Sequence, residues 1–188
     1  MPLPTLDAQA KAASDAAERF VDDFYDTLNK RRNIEPFYVN ACTRYTSLKA
    51  DISINGLVVP TPADFQAMIE KRGPGVHYEV ESFDAHCINP DFNIDAPDHA
   101  LEPDRSGAKG QLLVSVVGRV RYARTKALRE LARQMAPDLE ERLLSDPMFA
   151  PREQNFTDVF VLVPNWDTFV ARSPRRRQLI LSHKFREL

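Results

Sequence analysis

In the stretch NFTDVFVLVPN, residues 155–165, Asp158 lies between Phe156 and Phe160, and a period of two puts all three on one face of a strand. A carboxyl group among aromatic rings is one whose proton affinity its surroundings can move. Two such groups within reach of one substrate could carry out general acid–base chemistry. Tyr25, on the apolar side of a helix, and Tyr78, which alternates with Val76 and Val80, are the candidate partners. The competing role for Asp158 is structural, capping a strand end or pairing with an arginine. Other reactive residue types give enzymes little support. His77, His86, His99 and His183 have no metal-ligand spacing, and His183 alternates with Phe185 as a packed or interface histidine would. Cys42 and Cys87 are far apart without a CxxC, which fits ordinary thiols in a reducing compartment. The phosphate-loop, dinucleotide, zinc-protease and nucleophile-elbow signatures are absent. The sequence therefore reads as non-catalytic, with no cofactor and no metal.

Cationic chemistry is concentrated in two places. Between 119 and 133 stand Arg119, Arg121, Arg124, Lys126, Arg129 and Arg133, opposed only by Glu130. Arg124, Lys126, Arg129 and Arg133 are candidates for phosphate contacts with RNA, an interaction that weakens steeply with salt. The alternative is a solvated helix face pairing with Glu130, Glu140 and Glu141. The second place is RSPRRR, 172–177, where Arg175, Arg176 and Arg177 form a hairpin tip able to bind RNA, to act as an import signal, or simply to turn. Over the whole chain of 188 residues, 25 Lys and Arg oppose 27 Asp and Glu, a net charge of -2, so any basic surface must be local. No run approaches a membrane span and no apolar leader opens the sequence, so neither secretion nor a membrane is expected.

The elements that would position these residues follow from periodicity. Residues 1–13 read as a flexible tail, and a helix is expected from Ser14, with Ala17, Phe20, Val21, Phe24 and Leu28 on one side. After Pro36 comes a short apolar element. Asn55-Gly56 joins two apolar strands within 52–59 as a hairpin turn, and Thr61-Pro62 opens a second helix that GPG ends at 73–75. From Val76 the apolar positions run 76, 78, 80 and then shift to 83, 85, 87, the mark of a β-bulge that bends a sheet. A Pro- and Asp-rich loop follows at 89–110, a strand at 111–122, a helix-like insertion at 123–154 and two final strands. The result is a single α+β domain over 14–188, a bent antiparallel sheet wrapped around helices.

Three segments carry a resemblance. AERFVDDFYDTLNKRRNIEPFYV, LLVSVVGRV and the closing pair NFTDVFVLVPN and QLILSHKFREL are similar, in that order, to the first helices, the strand with the Val-Gly step and the last two strands of the nuclear transport factor 2-like family. The resemblance implies a cone-shaped sheet and explains why the last strands are apolar on both faces. With Phe156, Phe160, Leu162 and Phe185 inside, the convex face receives Val159, Val161, Val163, Ile180, Ser182 and Lys184, and on the neighbouring strand Leu113, Ser115, Val117 and Arg119. Such a face is expected to bury on the order of 1,600 Å² or more against a partner. The alternative is that the loop at 89–110 or 123–154 folds back over the valines. The basic segment after the Val-Gly strand is opposite in charge to the family member that engages a small GTPase. The two loop extensions instead resemble the small subunit of fungal mRNA export receptors. That resemblance implies pairing with a similar domain of a larger subunit. It further implies transport of mRNA, and of pre-ribosomal large subunits, through nuclear pores by contact with Phe-Gly repeats, and shuttling between nucleus and cytoplasm. The same fold also resembles isomerases and dehydratases that work in the cone cavity, and homodimeric transport factors; these are the alternatives.

Overall fold

A computed structural model describes residues 3–73, 75–102, 105–122, 152–169 and 177–188. Helix α1, Leu6–Asn29, begins eight residues before the expected start. The Thr5 hydroxyl accepts from the Ala8 N–H at 3.3 Å, and the alanines after it have the highest helix propensity, so Ser14 is an interior residue and not the cap. Residues 6–13 are therefore not a tail. Ala13 is fully buried, and a Cβ built on Gly107 would come within 3.1 Å of Ala12 Cβ, so the loop at 105–110 packs on this first part of the helix.

Two 3₁₀ turns, Glu35–Phe37 and Val39–Ala41, lead to strands β1, Asp51–Ile54, and β2, Leu57–Val59. Asn55 and Gly56 at the tip have φ of 53° and 83°, the left-handed pair that the dipeptide supplies. Helix α2, Pro62–Lys71, is capped by Thr61 Oγ1, which accepts from the Asp64 N–H at 3.1 Å. Strands β3, Val76–Asn89, β4, Gln111–Tyr122, β5, Arg152–Pro164, and β6, Gln178–Glu187, complete one sheet in the order β2-β1-β6-β5-β4-β3, with a short helix α3, Trp166–Phe169, between β5 and β6. All pairings are antiparallel except β1 with β6, which is parallel. Among the described residues no helix is long and apolar enough to cross a membrane.

The sheet bends where the sequence shifts phase. The β3–β4 register passes from Val80↔Gly118 to Ser82↔Val117, leaving Glu81 as a bulge. On the concave side α1 buries Phe20 and Phe24 against Phe37, Phe160 and Val114, while Tyr25 packs on Phe156. A second bulge lies in β6, where Val161↔Ser182 is followed by Leu162↔Ile180 and Leu181 is passed over.

That second bulge corrects one expectation. By strict alternation Ile180 belongs with Ser182 on the convex face, but the extra residue reverses the phase, and Ile180 points inward with Leu162, fully buried. Val163 is corrected for another reason. It is also fully buried, in a second cluster with Leu179, Trp166, Tyr45, Phe92 and Ala100. Trp166 donates from Nε1 to Ile94 O at 2.9 Å, and the Tyr45 hydroxyl donates to Pro164 O at 2.6 Å. Lys109, itself buried, donates to Glu102 O at 2.9 Å and pairs with Asp91 at 3.1 Å, tying the loop's two ends. The first part of the 89–110 loop thus covers one end of the outer face, as the alternative had it for that loop, while residues 123–151, the other candidate cover, lie outside the described residues.

Gly118 faces Val80 just before the β3 bulge. A Cβ there would collide with Glu79 O and come within 2.8 Å of the Phe156 ring. Gly118→Ala is expected to lower stability by about 2–3 kcal/mol in urea unfolding, because backbone and a packed ring must both move.

Candidate functional site

The proton-transfer candidates do meet inside the fold. The Tyr25 hydroxyl donates to Asp158 Oδ2 at 2.9 Å, His183 Nε2 lies 2.9 Å from Asp158 Oδ1, and His183 Nδ1 lies 2.8 Å from the Tyr38 hydroxyl. Helix α1 supplies the first tyrosine, β5 the carboxylate, β6 the histidine and the turn after α1 the second tyrosine. The His183 contact has ion-pair distance but not hydrogen-bond alignment, and among the described residues Asp158 Oδ1 and His183 Nε2 have no hydrogen-bond partner. Sequence reasoning placed Asp158 and Tyr25 together; it missed His183, whose signal was only its alternation with Phe185. Tyr78 is not part of the chain, since its hydroxyl accepts from Arg72 at 3.3 Å and Arg72 also pairs with Glu187 at 3.2 Å.

A site for chemistry also needs room for a substrate. A groove of about 620 Å³ lies beside α1, lined by Lys11, Arg19 and Arg177 among others, and a cleft of about 590 Å³ lies between α1 and β3. Neither is lined by Asp158 or His183. The rings of Phe24, Phe65 and Phe160 pack round His183, the last stacked at 4.6 Å.

The outer face has a different character. Reading across β1, β6, β5, β4 and β3, Ser53, Lys184, Val159, Ser115 and Asp84 stand side by side. The next row is Asp51, Ser182, Val161, Leu113 and His86. A third row holds Arg186, Thr157, Val117 and Ser82. Leu113, Val117, Val159 and Val161 therefore form one apolar centre, with Val117 42% exposed and the other three half-buried. Hydroxyl side chains surround it and charges lie at its margins. Thr157 and Arg186 belong to this face although the sequence reading did not select them. Arg119 is on it too, but as part of a charge ladder, paired with Glu81 and Glu153, while Arg121 pairs with Glu79 and Glu153. Hydrogen bonds to Glu153 and Glu81 raise the Arg119 pKa, and those to Arg121 and Arg119 lower that of Glu153, so both stay charged. Arg124, Lys126, Arg129, Arg133, Arg175 and Arg176 lie outside the described residues; Arg177 is exposed.

No family model and no curated protein matches this sequence. Solved structures do. A Chaetomium thermophilum Mex67 NTF2-like domain complexed with Mtr2 matches with 32% identity and a TM-score of 0.76, covering 94% of this chain and 99% of that one. The chain belongs to the nuclear transport factor 2-like family. The Sac3N peptide bound to Mex67:Mtr2 matches at 30% identity, TM-score 0.75, and the structure of Mtr2 at 29%, TM-score 0.74, each over the same 94% and 99%. The chain's likeness within the family is thus to Mtr2. A putative dehydratase of the family from Streptomyces avermitilis, at 10% identity and a TM-score of 0.57 over 95% and 98%, shares the fold alone. In family terms Tyr25, Asp158, His183 and Tyr38 occupy the cone interior.

Burial raises the pKa of Tyr25 and Tyr38 well above that of a free phenol, and the charge of Asp158 raises it further. Burial likewise raises those of Tyr45, Tyr78 and Tyr122, against a lowering effect of Arg72 on the last two. These are all five tyrosines of the chain. A raised folded-state pKa gives stability that is complete below the unfolded value, about 10, and is lost as pH rises beyond it, by up to about 1.4 kcal/mol per pH unit for each of the deeply buried Tyr25, Tyr38 and Tyr78 and by less for the partly solvated Tyr122. Spectrophotometric titration is expected to show the phenols ionising together with loss of near-ultraviolet dichroism, and not as independent groups near pH 10.

Proposed function

We propose that this chain is the non-catalytic small subunit of a heterodimeric nuclear export receptor, pairing through the outer face of its sheet with the similar domain of a larger subunit. The observation that carries the reading is the apolar centre of Leu113, Val117, Val159 and Val161, which among the described residues the loop at 89–110 does not cover, while it does cover Val163 and Leu179. A contiguous apolar patch on a sheet face, rimmed by polar side chains, is the mark of a protein-interaction surface. The likeness to Mtr2, which is found complexed with the NTF2-like domain of Mex67, supplies the kind of partner.

The interface on this reading comprises Leu113, Ser115, Val117, Arg119, Val159, Val161, Ser182 and Lys184. The cargo is mRNA and pre-ribosomal large subunits, met by Arg124, Lys126, Arg129, Arg133, Arg175, Arg176 and Arg177 as phosphate contacts. Passage through nuclear pores uses Phe-Gly repeats bound by the heterodimer, and the protein shuttles between nucleus and cytoplasm. Partner contact needs no catalytic group, and the buried Asp158 then serves packing and orientation.

Val161→Asp tests the reading in co-purification with a Mex67 NTF2-like domain. The aspartate is solvated in the free subunit and buried without a counter-charge in the complex, a cost of about 3–5 kcal/mol that weakens pairing at least a hundredfold. The free variant is expected to keep the thermal midpoint of the wild type. Retained pairing would remove this face from the interface, and an unfolded variant would mean that Val161 points inward.

A further inference from the structure

Strand β3 ends the sheet, and among the described residues it pairs only with β4. A fourteen-residue edge strand offers a row of backbone donors and acceptors to any extended chain, and folded proteins usually block such an edge. Here the block has two parts. The Asn29 amide donates to Tyr78 O and its oxygen accepts from the Tyr78 N–H, both at 2.8 Å, so one side chain imitates a neighbouring strand. Farther along, Asp84 Oδ1 accepts from the Ala85 N–H at 2.8 Å. Between these points no hydrogen bond within the described residues reaches the outward backbone. The Tyr78 contacts show which backbone groups look away from β4. Period two, shifted by the Glu81 bulge, assigns the same direction to Val80 and Phe83.

The unblocked stretch opens onto the cleft of about 590 Å³ between β3 and α1. Its lining is mixed: Val21, Tyr25, Tyr78, Val80 and Phe83, the last 37% exposed, supply the apolar part, beside the neutral polar Asn29 and Ser82. The charged residues on its lining are Asp22 and Glu81, both acidic, and Glu18 stands one helical turn before Asp22 on the exposed side of α1. Among the described residues no cation lines the cleft.

We propose that this edge is a second docking site, distinct from the outer face, which takes a short extended peptide by strand addition at Val80 and Phe83. The bound segment carries a bulky apolar side chain, seated against Val21 and Tyr25, between basic residues that meet Asp22 and Glu18. Strand addition gives affinity through the main chain and selectivity through the alternate side chains, and here the selectivity is for apolar flanked by Lys or Arg. Glu81 already pairs with Arg119, so Asp22 is the stronger attraction. The site lies on the concave side and does not depend on the subunit pairing proposed above.

The test uses the full chain and two synthetic heptapeptides, one alternating lysine with valine around a central phenylalanine, the other with glutamate replacing lysine. Isothermal titration is expected to show the basic peptide binding with a Kd in the micromolar range, weakening with salt, and the acidic one binding at least tenfold more weakly. Amide shifts are expected at Val80 to Phe83 and at Val21 to Tyr25. Asp22→Lys, at an exposed position that leaves the fold intact, is expected to weaken the basic peptide about tenfold. Absence of binding at millimolar peptide would overturn the proposal, as would equal binding of both peptides, indifference to Asp22→Lys, or shifts confined to Val117, Val159 and Val161.

Discussion

Phe160 stacks on His183 and packs edge-on against Phe20 at 5.0 Å and Phe24 at 5.2 Å, and through these contacts it fixes which face of β5 looks toward the helix. Once that ring is inside, the pleat allows no further choice: Phe156, Asp158 and Leu162 follow it inward, and Val159 and Val161 go out. Pairing with β4 carries the same decision to Val114 and Val116 inside and to Leu113 and Val117 outside. The aromatic core and the apolar outer face are thus two results of one packing event. The protein cannot have the first without exposing the second.

The same constraint explains the position of the polar chain. Asp158 sits between two phenylalanines that α1 must cover, so its carboxylate is enclosed with whatever polar groups the surrounding elements can bring. Tyr25 brings a hydrogen bond to one carboxylate oxygen, and His183 brings an imidazole within 2.9 Å of the other without hydrogen-bond alignment. Of the two clefts described, neither is lined by Asp158 or His183, although Tyr25 forms part of the one beside β3, and aromatic rings pack closely round His183. The interior round His183 is thus occupied by the chain's own aromatic side chains.

What could be read from the sequence was local chemistry. Asn55-Gly56 dictates its turn, Thr61-Pro62 its helix start, and the shift from Val80 to Phe83 its bulge, because each is decided within a few residues. The features that were not legible depend on distant ones. In QLILSHKF the apolar residues Leu179, Ile180 and Leu181 stand in a row, so either phase is allowed there and nothing local fixes the bulge at Leu181 that turns Ile180 inward. Phe92 is a single ring in an acidic loop, and only the proximity of Trp166 and Val163 makes it a cover. Ser14 has the character of a cap, yet the alanines before it extend the helix back to a better one at Thr5. Of the outer face, the centre was legible through alternation alone, while its boundary was set by that bulge and by the loop, which removed Ile180 and Val163 from it.

The most direct test of the outer face as a partner surface is residue-resolved cross-saturation in the complex, with the partner protonated and this chain deuterated. The account predicts strong transfer to Leu113, Val117, Val159 and Val161 and none to Val163 or Ile180, which are already enclosed by this chain. Transfer that falls instead on α1, or on the loop that covers Val163 while sparing the four, would contradict it.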